Sequence, residues 1–346
     1  MRGDDLHSAR DGETAKVPLV GMPVRGWAAY ASWIVGALAL GGLIAAVLHI
    51  GDLDQFVRIS HQLRLSWLLP AIAAQGLTYV VVALAWHTTL RRAGHRRPLA
   101  ALIPLGIAKL FADQALPSGG LSGSIFVTFA LRRRNVPAPT AIGILVIGMV
   151  SFNVAYVIAV VAGLMLLKLH HRSDPALLAV VAVFAFIAMA VPASLVWAKR
   201  WNRGFLARWI LKFRASTILF QALTRAPLQL LKSPTLIAEI SGCQLAIFIL
   251  DALTLWFVFQ AIAVPCPLWI AFVAFVIASA AATVSPVPLG LGAFEAAQVA
   301  LLGLLDIPLE AALTATLVLR CLTFWLPMLP GLWLARREMV GKAQPQ

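Results

Sequence analysis

Long apolar runs alternate with short polar and basic words along this 346-residue chain. Six runs, at about 27–50, 66–89, 137–167, 176–198, 236–262 and 310–334, are long enough for a helix to cross a bilayer, which takes roughly 20 residues. Two more apolar stretches, 99–131 and 267–304, are broken near their middles by LPSGG (Leu116 to Gly120) and by SPVPLGLG (Ser285 to Gly292). Their second arms, Leu121 to Leu131 and Ala293 to Leu304, cover about half a crossing at about 1.5 Å per residue. Each stretch therefore reads as a helix pair that enters the membrane and returns to the same face.

The charges give those faces a sign. Arg91, Arg92, Arg96 and Arg97 precede the first broken stretch and Arg132, Arg133 and Arg134 follow it, so both of its ends belong on the cytoplasmic side. The second begins after AVPCP (Ala263 to Pro267) and ends at Asp306 and Glu310, with no basic residue at either end, as an exterior loop permits. Following the sides along the chain, the second four elements repeat the first four upside down. The pattern predicts an all-α polytopic membrane protein, an inverted-topology repeat with about six full spans and two re-entrant helix pairs. Eight ordinary spans are the plainer alternative. The expected organisation is a cytoplasmic tail at 1–26, a first membrane repeat at 27–169 containing the pair 99–131, a second at 170–337 containing the pair 267–304 and an amphipathic cytoplasmic segment at 199–235, and a tail at 338–346. An exterior segment, Asp52 to Arg64, is the counterpart of that amphipathic stretch.

Composition agrees: 61% of residues are hydrophobic and 12% charged, about half the charged share of a soluble domain. The net charge of +14 sits in short clusters between apolar runs rather than in an arm, which reports topology and argues against nucleic acid. Cys243, Cys266 and Cys321 lack paired spacing, and the histidines form no HExxH pattern, so neither a disulfide framework nor a metal is expected. GLGAFE is no nucleotide loop, because no GxxxxGK occurs and its context is a membrane break. No cofactor is implied.

Candidate chemistry gathers at the breaks. Unwound backbone at membrane depth is tolerated where it lines a cavity or is buried in protein, and a half-helix start leaves N–H groups that attract phosphate or carboxylate. Pro286 and Pro288 stop one arm there, and Gly290 and Gly292 let the next begin. Glu295, in its first turn, either caps those N–H groups or meets a cation, proton or positively charged head group. Arg320 lies near the middle of the last span, where a charge is expensive, and is expected to bond Glu295 or a substrate phosphate. Asp251, central in the fifth span, needs a donor of its own; it competes for Arg320 or stays protonated. Lys109 and Asp113, four apart before the first break, can pair, and Pro117, Ser118, Gly119 and Gly120 form the break itself. Gln75, Asn153 and Gln298 are isolated polar groups best read as contacts between helices.

The whole pattern, with PxPxGxGxxE at Pro286 to Glu295, Arg320 after it and Asp113 to Gly120 as a first-half counterpart, resembles the membrane region of lysylphosphatidylglycerol synthase and flippase proteins, in their stand-alone form. The likeness covers about 27–337. It implies translocation of a phospholipid or related lipid between leaflets, with the two re-entrant elements meeting around a central cavity. Bifunctional members add a soluble aminoacyl-transfer domain at the C-terminus; with the chain ending at Gln346, that chemistry is expected to be absent and the protein not to be an enzyme. Where relatives often carry a charged residue near the first glycine word, this chain has Ser118, Leu121 and Ser122, so lysyl lipid is not assumed to be the cargo. Alternatives are a secondary transporter of a small polar solute or ion, and a membrane-embedded lipid-modifying transferase, which would need a clustered Asp/His site. The expected partner is a membrane lipid; a separate lipid-synthesising enzyme and a second copy of the chain are compatible with the layout. A bacterial or archaeal cytoplasmic membrane is the expected location, with both termini cytoplasmic.

Overall fold

A computed structural model describes residues 64–115, 121–170, 233–285 and 290–340. The expected spans 27–50 and 176–198, the exterior segment after Asp52, almost all of 199–235 and both tails but for 338–340 lie outside these residues. What is described is helical throughout: α1 (Leu65–Arg92), α2 (Leu99–Ala115), α3 (Leu121–Arg133), α4 (Ala138–Leu169), α5 (Pro234–Ala261), α6 (Leu268–Val284), α7 (Ala293–Leu304), α8 (Leu309–Arg320), a π-helical turn (Cys321–Trp325) and α9 (Leu326–Val340). By length and composition α1, α4, α5 and the continuous α8–α9 are four helices able to cross a membrane, and α6 and α7 are shorter apolar helices. The two broken stretches of the sequence are broken here too, into α2 and α3 and into α6 and α7.

Proline and left-handed residues set the helix limits. Pro137, Pro267 and Pro308 stand at the N-caps of α4, α6 and α8, and Pro234 opens α5 behind Ser233, whose hydroxyl accepts from the Leu236 N–H. Helices α1, α3, α5 and α7 all stop on a residue of positive φ two places beyond their last turn, at Gly94, Asn135, Ala263 and Asp306. In each, the next N–H reaches back to the helix, from His95, Val136, Val264 and Ile307 to the carbonyls of Leu90, Leu131, Phe259 and Leu302. These are four Schellman endings, each followed by a proline that prevents the helix resuming.

Backbone and side-chain contacts define two ends. At one, Arg92 pairs with Glu239, Arg97 donates to the Arg134 carbonyl, and Arg134 pairs with Glu338 at 2.6 Å. At the other, the Arg64 N–H donates to the Ala261 carbonyl at 2.8 Å and the His170 ring stacks on Trp269 with centroids 4.2 Å apart. The Arg97–Arg134 bond brings the start of α2 and the end of α3 together at the first, basic end. Each broken pair has its own core: Leu102, Leu105, Val127 and Leu131 pack with Ala83, Leu90 and Ile144 around α2–α3, while α6 and α7 sit in a larger cluster with α4, α5 and α8. Leu77, Ile158, Val161, Met165 and Leu329 point outward, as lipid-facing positions do.

The last span holds one departure from its apolar pattern. Pro327 lacks an N–H and its ring would press on the Thr323 carbonyl four residues back. The chain widens by one residue into the π turn Cys321–Trp325, immediately after Arg320.

Candidate functional site

The second break builds a buried ion pair out of backbone geometry. Gly290 and Gly292 have φ of +63° and +81°, which an L side chain rarely adopts, and a Cβ on Gly290 would overlap Ala282 near the end of α6. That close return aims the first turn of α7 back into the protein. Glu295, three residues into it, is 1% exposed. One of its oxygens, Oε2, accepts the Gly292 N–H at 2.6 Å and the other, Oε1, accepts Arg320 Nε at 2.5 Å. Both roles expected of this carboxylate, capping the arm and pairing with Arg320, are thus filled at once.

Arg320 also lies over two aromatic rings. Its guanidinium carbon lies 4.2 Å from the centroid of the Phe294 ring and 5.8 Å from that of Phe324, an arrangement in which ring quadrupoles favour the cation. Nothing in the residue spacing singled out these two rings, although Phe294 adjoins Glu295 and Phe324 lies one turn past Arg320. Gln298, a turn further along α7, is fully buried, and neither its amide nitrogen nor its oxygen has a partner among the described residues.

The first break repeats the device. Lys109 Nζ donates to Asp113 Oδ2 at 2.6 Å, the predicted pair. Across the break, the Gly123 N–H in the first turn of α3 donates to Asp113 Oδ1 at 2.8 Å. A Cβ on Gly123 would lie 2.5 Å from that carboxylate, so glycine is what lets the arm close on it. In both breaks one carboxylate bridges the N–H groups of the second arm and a cationic side chain. The two differ in depth of burial: Arg320 is 14% exposed at its side chain and Lys109 is 31% exposed.

The breaks are linked through α2 and α9. Gly331 lets α9 approach so closely that a Cβ there would lie 2.8 Å from that of Phe111 and 3.0 Å from the Ile107 carbonyl. Along the same span Arg320 lies about three turns away, towards the other end of the helix. Pro117, Ser118, Gly119, Gly120, Pro286 and Pro288 fall outside the described residues. Arg320 pairs with Glu295, and among the described residues Asp251 makes no ion pair. Among the described residues no cluster of three or more His, Cys, Asp or Glu could hold a metal. An open, almost wholly apolar groove of about 350 Å³ runs between α4, α5 and α6, lined by Ala162, Leu166, Ile249, Leu268 and Phe272 among others.

Residues 33–331 match the family model described as the lysylphosphatidylglycerol synthase TM region. Comparison with curated proteins found no match.

Proposed function

The chain belongs to the family of the lysylphosphatidylglycerol synthase TM region, and on that premise we propose that it moves a phospholipid, or a related anionic or zwitterionic lipid, between membrane leaflets. The observation that carries this reading is the Glu295 carboxylate, which occupies an anion position made by the Gly292 N–H and Arg320. A lipid phosphate presents the same chemistry, an oxyanion with several acceptors, to a helix start and a guanidinium. On binding, phosphate takes the place of the carboxylate, and the freed Glu295 meets a cationic head-group substituent or a proton. Asp113, bridging Lys109 and Gly123, offers the corresponding position in the first half.

Exchange of one anion for another keeps the buried charge balanced throughout, which an empty cationic pocket at this depth would not. The apolar groove beside α6 supplies a wall for acyl chains, and it favours a lipid over a small polar solute. The finer architecture belongs to the same proposal: an inverted repeat of six full spans and two re-entrant pairs, α2–α3 entering from the cytoplasmic, basic end and α6–α7 from the exterior. Rocking of one half against the other would then change the leaflet to which the head group is presented.

A photoreactive phospholipid tests the binding step. Labelling of the purified protein in vesicles should be competed by some head groups and not others, and should fall about tenfold in Arg320→Ala, the loss of about 1.4 kcal/mol of binding. Labelling indifferent to head group and to Arg320 would contradict it.

A further inference from the structure

The buried face of α7 carries two polar side chains, Glu295 and Gln298, among Phe294, Val299, Leu301 and Leu302. Three residues apart, they are neighbours on one side of the helix. A helical side chain leans toward the N-terminus, so Gln298 covers the turn from which Glu295 projects. Glu295 is engaged at both oxygens, by the Gly292 N–H and by Arg320. Gln298 is 0% exposed, and neither its Nε2 nor its Oε1 meets a partner among the described residues. On the helices packed against α7, the hydroxyls of Thr283 in α6 and of Thr314 and Thr316 in α8 donate to carbonyls of their own helices.

Stability gives no reason for an amide here. Buried without partners, it has lost its hydrogen bonds to water and gained none, whereas an apolar side chain of similar length would pack without that loss. An unsatisfied group in a native interior marks a functional role or a bound molecule. What is missing is chemically specific: Oε1 needs a donor and Nε2 an acceptor, and a hydroxyl is both at once. An ammonium group only donates, and a trimethylammonium group does neither. The position also suits a head group. Gln298 lies about 4.5 Å beyond Glu295 along the helix axis, within reach of a hydroxyl on a short carbon arm when phosphate is seated in place of the Glu295 carboxylate.

We propose that Gln298 is a specificity-determining residue of the Glu295–Arg320 site and selects a lipid whose head group bears a free hydroxyl. With phosphate on the Gly292 N–H and Arg320, that hydroxyl donates to Gln298 Oε1 and accepts from Nε2. The inference rests on the lipid reading of the site and adds that charge alone does not qualify a cargo. A phosphate ending in an alkyl or trimethylammonium group leaves the amide without partners and is bound more weakly for it.

The test uses the full chain in vesicles, labelled by the photoreactive phospholipid, with phosphatidylglycerol and phosphatidylpropanol as competitors. The two lipids carry the same charge on head groups of similar length and differ in their hydroxyls. Phosphatidylglycerol should compete about tenfold better in the native protein, and the two should compete equally in Gln298→Met, which keeps the length of the side chain and removes the amide. The variant should unfold at a temperature no lower than the native protein. Equal competition in the native protein, or a preference that survives in Gln298→Met, overturns selection by Gln298; the native comparison decides whether or not the variant folds. A variant that unfolds well below the native protein gives the amide a partner within the fold and overturns the proposal as well. Failure of the underlying reading looks different: neither lipid then competes, and Arg320→Ala labels like the native protein.

Discussion

Arg320 and Glu295 stabilise the second break only as a pair. Breaking a buried ion pair by removing one partner costs about 3–5 kcal/mol, because the other charge stays buried, while replacing both by apolar or neutral groups of similar volume is often close to neutral. Arg320→Ala should therefore destabilise the protein strongly, and Glu295→Gln/Arg320→Met should recover most of the loss; thermal unfolding in lipid-like detergent measures both. A double variant as unstable as the sum of its singles would assign the stability to something other than the pair. The pair itself was legible in the sequence, since two opposite charges in one half at similar depth have few other ways to be satisfied. The rings of Phe294 and Phe324 were not, because a phenylalanine in an apolar run carries no sign of what it faces. Gly123 was missed for a related reason: its N–H is used by a residue on the other side of the break, and no local spacing encodes that.

At the scale of elements, both broken stretches were legible from proline and glycine words inside apolar runs, and the observed helices end within a few residues of the expected limits. The left-handed stops at Ala263 and Asp306 were not, since neither residue type announces a positive φ. Nor was the π turn, because Pro327 in a long apolar span reads as a tolerated kink. That turn offsets the side chains of α8 from those of α9 by one residue and so sets where Arg320 points. Pro327→Leu removes a residue that costs about 3 kcal/mol in a helix interior and lets regular α geometry return. The variant should unfold at a higher temperature and exchange lipid more slowly, as Arg320 turns away from Glu295. A more stable variant with undiminished exchange would make the turn a packing detail.

For the whole molecule, the side assignment rests on arginines, and two exposed loop positions test it. With Cys243 and Cys321 replaced by serine, Asn135→Cys and Ala263→Cys place one thiol near each end of the structure. Cys266 stays silent, as it is 4% exposed and burial pushes its thiol up to about 12. In intact cells an impermeant maleimide should label Ala263→Cys alone, and Asn135→Cys only after permeabilisation; labelling of both from one side would undo the topology. The helical spans were legible because hydropathy and charge vary over tens of residues, whereas the proposed function depends on how two short breaks pack, which no local pattern encodes. The most direct measurement is leaflet exchange of fluorescent phospholipids in vesicles holding the purified protein, native or Glu295→Gln/Arg320→Met. Exchange that depends on head group in the native protein and is lost in the stably folded double variant is the expected result. Equal exchange by both, or none by the native protein for any head group, would contradict lipid translocation through this site.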